Sequence, residues 1–168
     1  MMKTLLLSIL VFLTPLWPMG ENPTKDAPFL IVNKQVNQMA FINNSALQKV
    51  YNVATGASNE LTPNGLHTVL IKAVEPYYRK KNIPGGSPNN PLGSRWIGFD
   101  AEGTNGRIYG VHGTNQPETI GENVSAGCIR MKNEDVEDLY SKIPIGTKIY
   151  ITETDEDFIT IAKKMDAM

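Results

Sequence analysis

Ser125-Ala126-Gly127-Cys128-Ile129-Arg130-Met131 holds the only cysteine of the chain, and Tyr109-Gly110-Val111-His112-Gly113-Thr114-Asn115 lies shortly upstream. A free thiol has a pKa of about 8.5, so little of it is thiolate at neutral pH. A neighbouring imidazole can take the proton, or as imidazolium stabilise the anion. Cys128 and His112 form such a pair if the segment between them folds back. Gly127 lets backbone approach a ligand closely, and consecutive amides at Gly127 and Cys128 suit an oxyanion. A lone cysteine is usually a small buried apolar residue. The glycines beside Cys128 and His112 favour the reactive alternative.

Outward from this pair the pattern is β-rich. Phe29–Val32 and Gln38–Ile42 are short β-forming runs around a polar Asn33–Asn37 turn, and read as a hairpin. Asn43-Asn44 is the next turn, Val50–Ala54 a third strand, and Thr62-Pro63-Asn64-Gly65 a turn into a strand from Leu66 to Val74. Residues 75–95 carry repeated Pro and Gly and read as a long irregular loop, of the kind that forms a lid or substrate wall. Its Tyr77-Tyr78-Arg79-Lys80-Lys81 cluster reads as a solvated surface. Trp96–Phe99 and Ile108–Val111 are strands leading to His112. Asn133-Glu134-Asp135 is expected to cap a helix of about two turns with Val136, Leu139 and Tyr140 on one face. Lys148–Thr152 is the last strand, and the tail, residues 153–168, has the pattern of a short amphipathic helix from Asp155 to Lys164.

The bulk numbers fit one domain: 168 residues, 41% hydrophobic, net charge −1. Setting residues 1–20 aside removes only Lys3 and leaves −2, which gives no electrostatic case for nucleic acid. Lys3 followed by the apolar run Leu5–Trp17 reads as a secretory signal peptide over residues 1–20, with an uncleaved anchor as the alternative. Two histidines and one cysteine make no convincing zinc site, so no metal and no cofactor are expected. His67, on a strand after the Thr-Pro-Asn-Gly turn, reads as structural. The sequence carries no signal for oligomeric state.

His112-Gly113-Thr114-Asn115, Ile120-Gly121 and Ser125–Met131 together resemble the signature of the YkuD-like L,D-transpeptidases. The similarity spans residues 28–152. Ala54-Thr55-Gly56, Thr62–Gly65, Asn90-Pro91-Leu92-Gly93, Asp135 with Leu139-Tyr140, and Gly146-Thr147 follow in that family's order. The resemblance implies a mainly β, β-sandwich-like catalytic domain with one or two short helices, working on peptidoglycan stem peptides outside the bacterial cytoplasm. It implies Cys128 as nucleophile, His112 as general base and then acid, and the Gly113 carbonyl as orienter of the imidazole. Amides around Ala126, Gly127 and Cys128 would hold the oxyanion. Arg130 would order the loop or meet a substrate carboxylate, and Ser125 and Asn115 would hydrogen-bond behind the pair. Acylation by carbapenems is a further expectation. Many members have histidine where this chain has Ala126, a departure that bears on the polarity of the pocket.

Three functions from different classes fit these residues. The favoured one is a metal-independent transpeptidase. An L,D-carboxypeptidase would hydrolyse the same acyl-enzyme, and a non-catalytic wall-binding domain would leave Cys128 inert. In sortase-like enzymes the arginine lies farther from the cysteine, and in papain-like amidases the cysteine precedes the histidine.

Overall fold

The computed structural model describes residues 26–168. The signal expected over residues 1–20 lies outside them. Among the described residues ten strands form: β1 (Phe29–Asn33), β2 (Gln38–Asn43), β3 (Ala46–Asn52), β4 (Thr55–Gly56), β5 (Gly65–Val74), β6 (Arg95–Phe99), β7 (Tyr109–His112), β8 (Asn123–Ser125), β9 (Ile129–Arg130) and β10 (Lys148–Thr152). The helices are α1 (Asn133–Lys142) and α2 (Phe158–Lys164). Eight strands make one sheet in the order β3-β2-β1-β10-β5-β6-β7-β9, and β4 pairs with β8 separately.

The unbroken apolar run of β1 reflects burial on both faces. Leu30 and Val32 enter the main core with Ile97, Val111, Ile129 and Leu139, while Ile31 enters a second cluster beneath α2 with Ile42 and Ile161. β10 lies parallel to β1 and divides likewise, with Ile149 and Ile151 on one side and Tyr150 on the other. Curvature comes from β5. Its first half pairs with β10 and its second with β6, and the register shifts between Val69 and Ile71.

Three local expectations need correction. The third strand begins at Ala46, because Asn44 and Ser45 both take positive φ (51° and 54°) and close a two-residue hairpin turn directly after β2. It ends at Asn52, where the Val53 amide turns to the Asn37 carbonyl. The α1 cap is Lys132, without a side-chain bond, and the helix is longer than the two turns expected. Asn133 Oδ1 instead accepts the Ser94 amide at 3.1 Å, tying the helix start to the strand that precedes the site. Residues 75–95 are also more ordered than a plain loop. Tyr78 and Ile83 exchange backbone hydrogen bonds around a 3-10 turn at Arg79–Lys81. Buried Asn90 donates to the Pro76 and Pro84 carbonyls and accepts the Leu92 amide.

Candidate active site

β7 and β9 run side by side in parallel, with Val111 opposite Ile129 and His112 opposite Arg130. Val111 and Ile129 point into the core. Strand alternation therefore sends His112 and Arg130 to the other face, and Cys128, one step before β9, joins them. β9 is clamped from its second side too, since Ala54 and Arg130 exchange two backbone hydrogen bonds of 2.9 Å.

His112 is buried, and its Nδ1 lies 2.6 Å from the Gly113 carbonyl oxygen. A carbonyl only accepts, so Nδ1 carries the hydrogen and Nε2 keeps its lone pair. Trp96, opposite His112 in register, stacks on the imidazole at 5.5 Å between ring centroids and donates its indole N–H to the Gly106 carbonyl. That indole lies over Gly110, where a Cβ would come within 2.7 Å of the ring, so only glycine fits there. One glycine on each of the two strands, Gly98 and Gly110, paired beside a tryptophan, was the available sequence signal for this wall. Burial pushes the His112 pKa down to about 4; the Arg130 charge adds to this, and the Gly113 and Leu92 carbonyls oppose it.

Cys128 is half-buried, and its thiol donates to the Ile108 carbonyl at 3.4 Å. Burial raises its pKa, against the Gly110 amide and the charges of Lys80 and Arg130. Both partners therefore rest neutral at neutral pH, as imidazole and thiol. No hydrogen bond joins them in this state: the thiol is on the Ile108 carbonyl and Nδ1 on the Gly113 carbonyl.

Gly127 holds the turn by conformation. Its φ is +125°, and a Cβ there would fall 2.5 Å from the Leu61 carbonyl oxygen. Its amide donates to Ser125 Oγ at 3.0 Å, which leaves those of Ala126 and Cys128 for an oxyanion. The Ser125 hydroxyl donates onward to the Cys128 carbonyl at 2.6 Å. Ala126 is exposed at the turn's tip. The Arg130 side chain, half-buried, makes no hydrogen bond or ion pair among the described residues. Asn115 is exposed and lines a cavity of about 630 Å³ with Glu75, Ser94, Thr114 and Lys132, which neither Cys128 nor His112 lines. His67 stacks on Phe99 at 5.5 Å. Among the described residues no group of three or more His, Cys, Asp or Glu could hold a metal ion.

The YkuD family profile, the L,D-transpeptidase catalytic domain, matches residues 27–151. The chain belongs to that family. Bacillus subtilis (strain 168) YqjB, a protein bearing an L,D-transpeptidase name, is 53% identical over 167 residues, covering 99% of this chain and 95% of the relative. Two solved structures share the fold. L,D-transpeptidase 3 from Mycobacterium tuberculosis, in complex with a faropenem-derived adduct, aligns with a TM-score of 0.61 at 21% identity over 76% of this chain and 60% of its own. The Ldtfm-avibactam carbamoyl enzyme aligns with a TM-score of 0.61 at 19% identity, over 76% of this chain and 49% of its own. Within this L,D-transpeptidase domain the two halves of the pair are held differently. The imidazole is fixed by Gly113 and Trp96, and the thiol is carried on a turn held from below.

Proposed function

We propose that the protein is a peptidoglycan L,D-transpeptidase in which Cys128 forms a thioester with a tetrapeptide stem. The Cys128 thiol gives its proton to Nε2 of His112 as Sγ attacks the carbonyl before the terminal D-alanine. The S–C bond forms, the C–N bond breaks, and the imidazolium returns the proton to the departing D-alanine amine. An acceptor amine then attacks the thioester, its proton passing through His112 to the released thiolate. Each step needs only the thiol, the imidazole and backbone amides at the oxyanion, with Arg130 free to meet a substrate carboxylate. The observation that carries the proposal is the Nδ1–Gly113 contact of 2.6 Å, which commits one ring nitrogen and leaves Nε2 as base on the face that bears Cys128.

A histidine that rests neutral keeps the Nε2 lone pair that general-base attack on the thiol proton requires. The faropenem-derived adduct of the Mycobacterium tuberculosis L,D-transpeptidase 3 supports acylation of this site by β-lactams, and we extend it to carbapenems. The transpeptidase name of the Bacillus subtilis relative favours transfer over the hydrolytic alternative. The apolar run Leu5–Trp17 supports export, so we place the reaction at the cell wall. Incubation of purified muropeptides with the protein, read by product mass, tests the proposal. Cross-linked dimers with loss of D-alanine are expected. Shortened monomers alone would assign a carboxypeptidase, and unchanged muropeptides would point to a binding domain.

A further inference from the structure

The amide of Cys128 is a candidate oxyanion donor, and its direction is decided by the peptide plane it shares with the Gly127 carbonyl. In a planar trans peptide the N–H points opposite to the C=O, so whatever fixes the carbonyl aims the amide. That carbonyl accepts a hydrogen bond of 3.0 Å from the hydroxyl of Thr62, a fully buried residue. The Thr62 oxygen in turn accepts the Gly56 amide at 2.9 Å, so its single proton is committed to Gly127.

Thr62 is itself held from the far side. Lys34 is 3% exposed and donates its ammonium to the carbonyls of Asn59 at 2.6 Å and Thr62 at 3.0 Å. No carboxylate among the described residues lies within ion-pair distance of it, and burial lowers its pKa against the fields of Glu153 and Glu60. Burying an unpaired ammonium is costly. Here it fastens the loop ending at Thr62 to the end of β1, whose next residue's amide, that of Lys34, binds the carbonyl of Thr152, the last residue of β10.

We propose that Thr62, held in place by Lys34, is a positioning residue that aims the Cys128 amide at the oxyanion of acyl transfer. The proposal rests on the acyl-transfer function argued above. Two hydroxyls thus bracket the nucleophile: Thr62 fixes the carbonyl before Cys128, and Ser125 fixes the one after it. Thr62 touches neither thiol nor imidazole in any hydrogen bond. Its loss should therefore spare reactions of the thiol that develop no oxyanion.

The test compares two reagents on the full-length protein: a carbapenem, whose acylation passes through an oxyanion, and iodoacetamide, whose alkylation does not. In Thr62→Val, carbapenem acylation should slow by roughly 10- to 100-fold, short of the 10²–10³ typical of deleting an oxyanion donor outright. Iodoacetamide alkylation should stay within about twofold, and Thr62→Ser should recover most of the acylation rate. If Thr62→Val does not fold, Lys34→Met carries the same comparison, with acylation slowed and alkylation unchanged. Equal acylation of wild type and folded variant would overturn the proposal and leave the function standing, as would a parallel change in both reactions. A folded wild type that is alkylated yet never acylated would instead overturn the acyl-transfer function, and the proposal with it.

Discussion

The turn at 125–131 and the loop at 75–95 both act on Cys128, and they are built in opposite ways. The turn is fastened by hydrogen bonds at least partly out of solvent: Thr62 to Gly127, fully buried, Ser125 to Cys128, and Ala54 to Arg130. The loop has one buried anchor, Asn90, and carries Arg79, Lys80 and Lys81 in solvent at its 3-10 turn. Buried polar bonds fix direction, because leaving one unmade costs about 1–3 kcal/mol. Exposed charges shift a potential without fixing anything, and salt screens them. Geometry at the nucleophile comes from the turn, and the loop adds field.

Breaking the fixed side should give the largest effects. Replacing His112 with alanine should slow carbapenem acylation by about 10²- to 10⁴-fold in stopped-flow traces. In the wild type the base should keep working down to near pH 4, its folded pKa, and fail below it. Stability should follow the same group with the sign set by a lowered pKa. The unfolded imidazole protonates near pH 6.5 and the folded one near 4, so His112 subtracts stability progressively as pH falls through that window. Urea titrations of wild type and His112→Phe should diverge there and run parallel above it.

Gly127→Ala tests the turn directly. The φ of +125° and the Leu61 carbonyl 2.5 Å from the new methyl should together cost about 3 kcal/mol in chemical denaturation, and acylation should fall with it. The loop should yield much less. Removing the Lys80 charge as Lys80→Gln should raise the Cys128 pKa slightly and slow alkylation at pH 8 by less than about threefold, an effect that molar salt erases. A large, salt-independent loss in Lys80→Gln would mean that the loop shapes the site as the turn does.

What can be read along the chain is local or periodic. Alternation and apolar runs locate β1, β2, β5, β6, β7 and β10, and the His112 and Cys128 motifs name the pair. The missing pieces depend on partners distant in sequence. Thr62 reads as a turn residue until the structure brings it to Gly127, 65 positions away. Lys34 reads as a polar hairpin residue, although its ammonium is buried among carbonyls of residues 59–62. Asn133 reads as a cap because helix-start chemistry and a cross-strand tether use the same side-chain oxygen. Lys80 reads as a solvated charge, and it is exposed; only the folded loop brings its field onto the thiol.

Both regions matter only if Cys128 becomes the acyl carrier of this domain. Intact-protein mass after incubation with a carbapenem measures that step itself, with Cys128→Ala alongside and both proteins verified as folded. One adduct on the wild type and none on the variant are expected. A folded wild type that keeps its unmodified mass, or an adduct that persists in Cys128→Ala, would contradict the assignment.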